Sequence, residues 1–213
     1  MKKKFLNIMC IFTLYFFCLT TNAAEYHANI STIPPWLFKL IQKYTWRDDC
    51  PVPVSDLRYV ELNYWGLDNR SHQGALVIHY KLAEDVVIIF QDLFNHHFPI
   101  EKMQPIELFK GDDEKSMEAN NTSAFNCRNK VSGPTFSMHA YGFAIDINPK
   151  LNPYIAGKIV LPTNAYTYLN RQLNLPGMIT RSTTIYNEFI NRGWAWGGDW
   201  KSQKDYQHFE KKA

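Results

Sequence analysis

Within ten residues, Ser137-Met138-His139-Ala140-Tyr141-Gly142-Phe143-Ala144-Ile145-Asp146, the chain sets a histidine, a glycine and a carboxylate close together. Read as a strand over 142–147 entered through a bend, side-chain alternation sends Phe143, Ile145 and Ile147 to one face and Gly142, Ala144 and Asp146 to the other. The first face suits a core. The second is small and ends in a carboxylate, which leaves room for a ligand or metal beside Asp146. Gly142 lets the backbone bend so that His139 looks at the same point. A neutral imidazole and a carboxylate are ordinary zinc ligands, each about 2.0–2.2 Å from the metal. Further along, Asp205-Tyr206-Gln207-His208-Phe209-Glu210 offers another histidine, alternating with Phe209 so that His208 faces the site and Phe209 the core. His139, Asp146 and His208 then make three protein ligands, and three ligands with a water form a catalytic zinc site with an open position. Asp205 precedes His208 by three residues, and the two meet only if the chain turns between them, as in a helical turn.

The remaining histidines, His27, His72, His79, His96 and His97, read as structural; adjacent His96 and His97 point about 100° apart on a helix and make a poor pair. Asp199 reads as a turn residue or cap. Trp194, Trp196 and Trp200 belong to the core or to the wall of a groove, with Trp196 the candidate substrate contact.

These residues need a scaffold. Residues 25–56, with Pro34, Pro35, Pro51 and Pro53, read as an irregular N-terminal wrap carrying one short helix around Trp36–Tyr44. Strand formers fill 57–65; Asp68-Asn69-Arg70 supplies turn chemistry, and a second strand runs through 75–80. Val86, Phe90, Leu93 and His97 fall at helical spacing, Glu84 and Asp85 suit a helix start, and Pro99 stops it. The polar stretch 110–135 reads as a long loop, of the kind that carries function in compact domains. Two further helices are expected at 163–173 and 182–191, the second capped by Ser182 and stopped by Gly193. Elements that do not alternate strictly point to a single α+β domain with an antiparallel sheet, spanning 57–213.

Composition narrows the setting. Lys2, Lys3 and Lys4 precede an apolar run from Phe5 to Leu19, followed by Thr21-Asn22-Ala23-Ala24. That is the pattern of a secretory signal over 1–24. The run is about 15 residues, short of the roughly 20 needed to span a bilayer as an anchor. A lipoprotein signal would need small residues before Cys18, where Tyr15-Phe16-Phe17 stand. The chain carries 23 basic and 20 acidic side chains, and three of the basic ones lie in the signal, so nothing in the balance suggests nucleic-acid binding. Cys10 and Cys18 leave with the signal. Cys50 and Cys127 remain, either as buried thiols or, outside the cytoplasm, as a disulfide, the expected state and one that would contribute about 3–4 kcal/mol.

At these residues a resemblance enters. Ser-x-His-x-x-Gly-x-Ala-x-Asp, followed by Asp-x-x-His, resembles the zinc D-Ala-D-Ala carboxypeptidase and L-alanyl-D-glutamate endopeptidase family, peptidase family M15. Ala124-Phe125-Asn126-Cys127-Arg128, Asn148-Pro149, Asn152-Pro153-Tyr154 and Trp194-Ala195-Trp196-Gly197-Gly198-Asp199-Trp200 look like its extracellular branch. The resemblance covers about residues 48–210. It implies an α+β fold whose antiparallel sheet holds one zinc ion, with His139, Asp146 and His208 as ligands and Asp205 as general base. It implies Arg128 for substrate and oxyanion binding and Ser137 for a hydrogen bond to substrate. It also implies a hydrolase that cuts D-amino-acid bonds of peptidoglycan stem peptides as a carboxypeptidase or an endopeptidase; with the signal over 1–24, the protein is expected to be an exported monomer in the periplasm or outside the cell. Two rival readings stand beside it: a non-catalytic zinc module of the same fold, and a metal-free wall-binding protein that grips glycan with its tryptophans.

Overall fold

The computed structural model describes residues 24–131 and 133–212, so the signal expected at 1–24 lies outside the described residues save Ala24. The chain begins with a strand, β1 (Ala28–Thr32), and a helix, α1 (Pro35–Tyr44), whose Leu37 and Ile41 are buried. Next come β2 (Leu57–Trp65) and β3 (Ser71–His79), joined through a turn in which Asn69 adopts a left-handed backbone and Asp68 accepts from the Arg70 amide. The three strands form an antiparallel sheet in the order β1-β2-β3. The stretch 25–56 is therefore not an irregular wrap: Ala28 to Thr32 pair residue by residue with Leu62 to Arg58. Its prolines sit at the helix entrance and in the following turn, where a missing N–H costs nothing.

Strand alternation gives this sheet two apolar faces. Val60, Leu62, Leu76 and Ile78 join one buried cluster; Leu57 and Val77 join another with Leu37, Ile41 and Phe125. The first cluster is covered by α2 (Tyr80–Asn95), whose buried Leu82, Val86, Ile89, Phe90 and Leu93 recur at helical spacing. His79 caps it, its Nδ1 accepting the Lys81 amide at 3.2 Å. The helix stops at Asn95, short of His97. His97 takes a left-handed backbone, and the Phe98 amide returns to the Leu93 carbonyl.

The region expected as a loop, 110–135, is partly ordered into regular elements. After β4 (Lys102–Met103) comes a short helix, α3 (Asp113–Glu118), capped by Asp112 accepting from the Lys115 amide; then β5 (Asn121–Thr122) pairs in parallel with β4. The strand expected at 142–147 is β6 (Ala144–Asp146). It is preceded by a 3-10 turn over Met138–Tyr141 that Gly142 ends at φ 68°. β7 (Tyr154–Ala156) and β8 (Ile159–Leu161) form a hairpin. The helix expected at 163–173 is two separate 3-10 turns. Asn170 turns its side chain to the Gln172 amide, and Arg171 is drawn inward to the Leu151 carbonyl and Asn152, so local polar bonds replace the helical ladder. Helix α4 (Thr184–Asn191) follows. Thr183, not Ser182, stands at its cap position, and Gly193 ends it at φ 78°.

The last strands, β9 (Ala195–Trp196), β10 (Lys204–Asp205) and β11 (His208–Glu210), complete two small antiparallel sheets, ordered β6-β11-β9 and β10-β7-β8. The fold is thus α+β, with antiparallel sheets and four α-helices among the described residues. The sheets are tied together at the end of β3: the Phe125 amide donates to Val77 O at 2.9 Å and the His79 amide to Gly142 O at 3.0 Å. A methyl on Gly142 would lie 2.8 Å from the His79 nitrogen. No helix among the described residues is long and apolar enough to cross a membrane.

Two features outside the site set measurable stabilities. Cys50 and Cys127 form a disulfide across 77 residues, with Cα atoms 6.0 Å apart. Thiol counting on unreduced protein lacking Cys10 and Cys18 is expected to find no free thiol, and replacing both cysteines by Ser to cost about 3–4 kcal/mol in urea unfolding. Glu107 is 2 % exposed; one carboxylate oxygen accepts from Thr45 Oγ1 at 2.5 Å, and the other has no hydrogen-bond partner among the described residues. Burial, opposed by the Thr45 bond, pushes its carboxyl up to about 7. Folded protein then holds a proton that the unfolded chain loses above about 4.5, so stability falls as pH rises through that window. Glu107→Gln is expected to be the more stable protein at pH 8, by on the order of 2–3 kcal/mol, with the difference closing by pH 4.

Candidate metal centre and cleft

His139 is placed by local chemistry. Ser137 caps the 3-10 turn, its hydroxyl accepting the His139 amide at 3.4 Å. The ring is then fixed from behind: Nδ1–H donates to the Ala124 carbonyl at 2.5 Å, which leaves Nε2 as the lone-pair nitrogen. Asp146 is held by its backbone, exchanging two hydrogen bonds with Ser123 at 2.9 and 3.0 Å on one side and pairing with His208 on the other. Phe209 beside it is fully buried opposite Ile145, as the alternation requires.

His208 has a partner that motif reading missed. Its Nε2–H donates to Glu210 Oε2 at 3.0 Å, so in the neutral ring Nδ1 carries the lone pair. Glu210 lies two residues on, on the same strand face, and faces Ala144, whose small side chain leaves room for the carboxylate. The His-x-Glu spacing was the available signal.

The two lone-pair nitrogens and the carboxylate converge. His139 Nε2 lies 3.1 Å from His208 Nδ1 and 3.0 Å from Asp146 Oδ2; His208 Nδ1 lies 3.0 Å from Asp146 Oδ1. All three residues are buried. Acceptors this close repel unless a proton or a metal cation sits among them. The spacing is near the roughly 3.3 Å edge of a tetrahedron built on 2.0–2.1 Å bonds. The same demand is seen in protonation. Burial opposes a charged His208 ring, yet its bonds to Asp146 and Glu210 raise it to about 10. Burial would raise the Asp146 carboxyl, but the two histidines hold it well below the usual carboxylate range. The donor set therefore fits a divalent metal bound by two imidazoles and one carboxylate.

A cavity of about 70 Å³ opens over this cluster and is lined by Arg128, Ser137, Trp200, Asp205, Gln207 and Glu210 among others. Arg128 enters on the strand-like segment that pairs Asn129 with Phe136, next to the disulfide. Its guanidinium pairs with Asp113 of α3 at 3.0 Å and reaches within 4.0 Å of Asp146. Burial would lower its affinity for the proton; Asp113, Asp146 and Asp205 outweigh that and keep it charged. Asp113 is a second residue that sequence reading missed, because it lies in the stretch taken for a loop.

Asp205 reaches the cleft from β10, paired with Tyr154 of β7, and the chain bends over two residues before His208 enters β11; the turn between them joins two strands and is not helical. One of its carboxylate oxygens is buried with no hydrogen-bond partner among the described residues. Burial, with Asp146 nearby, pushes its carboxyl up to about 7 against the pull of His208, a Gln207 hydrogen bond and Arg128. Trp196, expected at the substrate, is instead 4 % exposed in the core, its indole N–H on the Tyr206 carbonyl. Trp200 lines the cleft in its place, its ring 5.4 Å from that of His208. Asp199 accepts from Arg181 and Tyr186, a structural role. His79, His96 and His97 also serve the scaffold, His97 stacked on Trp65.

Comparison with known proteins bears on the same residues. The family model for D-alanyl-D-alanine carboxypeptidase matches residues 131–211, less than half of the chain but a segment that holds His139, Asp146, Asp205 and His208. Neither a curated protein nor a solved structure matches. Over residues 131–211 the chain is thus similar to the D-alanyl-D-alanine carboxypeptidase family of peptidases.

Proposed function

We propose that this peptidase is zinc-dependent and hydrolyses D-amino-acid-containing bonds of peptidoglycan stem peptides, as an exported, monomeric carboxypeptidase or endopeptidase. The observation that carries the reading is the pair of histidines locked with their lone pairs toward Asp146, beside an acid and a cation in one cleft. Zinc bound by His139, Asp146 and His208 would supply Lewis acidity, polarising a carbonyl and easing water's loss of a proton at neutral pH. Asp205, with its carboxyl near 7, can accept that proton and return it to the leaving nitrogen. Arg128 stays charged and stands where it can hold the negative charge that develops on the carbonyl oxygen. Ser137 and Trp200 line the same opening and can contact substrate. The disulfide supports an oxidising compartment. The presence of Asp205 favours catalysis over a metal module without turnover.

Asp205→Asn is expected to retain one zinc per chain by elemental analysis while kcat on a stem peptide falls about 10²–10⁴-fold; unchanged turnover would remove Asp205 from the chemistry. His139→Ala should lose both metal and activity. Glu210→Ala frees the His208 tautomer, so zinc affinity measured by competition with a chelator should drop about 10–100-fold. Mass spectrometry of digested wall fragments identifies the bond cut.

A further inference from the structure

We infer that the turn Gly197–Asp199 positions Asp205, and that Gly197 is glycine because the base lies directly against it. The inference rests on the role proposed for Asp205 and deepens it. The buried Oδ1 of that carboxylate has no hydrogen-bond partner among the described residues, so the aim of that oxygen is left to packing. What stands behind it is backbone. A methyl on Gly197 would come within 2.6 Å of the Asp205 carbonyl oxygen and 2.7 Å of its Cβ. Gly197 does not have a left-handed φ, so torsion does not demand glycine there; space does. Such contacts essentially never occur between real Cβ atoms and backbone, so something must shift.

The turn cannot be what yields easily, because it is tied down on several sides. Lys204, the residue before the base, sends its ammonium back to the carbonyls of Gly198 and Trp200 at 3.1 and 2.6 Å. Asp199 takes the Arg181 guanidinium at 2.7 Å and the Tyr186 hydroxyl at 3.2 Å. Gly198 lies under the Trp196 indole, with no room for a side chain. On the far side, Asp205 is held by the two-residue strand β10 and by the Tyr206 amide on the Pro153 carbonyl at 3.3 Å. The shorter and less braced partner is the one that moves, and it carries the base.

Gly197→Ala should therefore act through Asp205. The test compares wild type, Gly197→Ala, Asp205→Asn and the double variant for kcat and KM on a D-Ala-terminated stem peptide, with zinc affinity by calorimetry. Gly197→Ala is expected to bind zinc as wild type does, to keep KM within about twofold, and to lose about 10- to 100-fold in kcat, the scale of a misplaced catalytic group. In the Asp205→Asn background that loss should shrink to less than about twofold, because coupled residues are not additive. If Gly197→Ala does not fold, Lys204→Met removes the brace without adding bulk and should show a smaller kcat loss with the same dependence on Asp205. Wild-type kcat in the folded variant, loss of zinc with loss of activity, or a full loss retained in the Asp205→Asn background each overturns the inference. A wild-type protein without turnover would instead overturn the proposed function, and this with it.

Discussion

Two imidazole nitrogens and a carboxylate, each with a lone pair directed inward, face one another across about 3 Å in a buried pocket. In water such groups would drift apart or take up protons. Here they cannot drift apart, because each is fixed from behind: His139 by the Ala124 carbonyl, His208 by Glu210, Asp146 by backbone bonds to Ser123 and pairing with β11. The outer bonds matter as much as the inner atoms. An N–H given to a carbonyl or carboxylate decides which ring nitrogen is left for a metal, so that choice is made before any ion arrives. The strain of holding acceptors together is borne by the fold and relieved by a cation.

The scaffold is arranged to bear it. Residues 124–125 and 142 both hang on the end of β3, so the carbonyl behind His139 and the turn carrying His139 share one support. The Cys50–Cys127 bridge ties the segment bearing Arg128 to the N-terminal part, and the Cys127 amide adds a bond to the Thr45 carbonyl. Beneath Asp146, Asn148 takes the Glu101 amide and donates to the Pro99 and Gly177 carbonyls; Asn152 bonds Ile147, Gly177 and Ile179. Buried amides that satisfy both their donors and acceptors rigidify what they touch. Deleting one leaves several backbone groups unpaired at once, a larger loss than the bond itself.

How much of this could be read from the chain depended on the range of the interaction. Helix α2 and the β2–β3 hairpin were legible because their apolar periods are local. So was the facing of Asp146 and His208, since one alternation rule fixes Phe209 and Ile145 inward and their neighbours outward. Asp205 was placed beside His208 but with the wrong turn, because its position comes from pairing with Tyr154, about fifty residues away. The stretch 163–173 looked helical, and its Asn and Arg side chains overrode propensity with tertiary bonds. The N-terminal prolines hid an edge strand whose partner begins some thirty residues later. Among the tryptophans, pattern could not separate Trp196 from Trp200; only the strand and the turn that follows it decide which ring is buried and which meets the cleft. Glu210 was within reach, and was overlooked because it stands behind a ligand and touches no substrate.

The site thus uses two different means of holding its groups, and the chemistry explains the division. A metal ligand gains from a hydrogen bond on its far side, because the bond fixes the ring and leaves the working lone pair untouched. A carboxylate that must take up and release a proton near neutral pH gains nothing from strong donors: each would occupy a lone pair and pull its pKa down. Asp205 accordingly sits in a place that raises its carboxyl to about 7, with a buried oxygen left unbonded. With that oxygen unbonded, its aim falls to contact. The crowded side of Asp205, where Gly197 admits no methyl, follows from that constraint: a base kept reactive by an unbonded oxygen is steered by the shape of what it leans on.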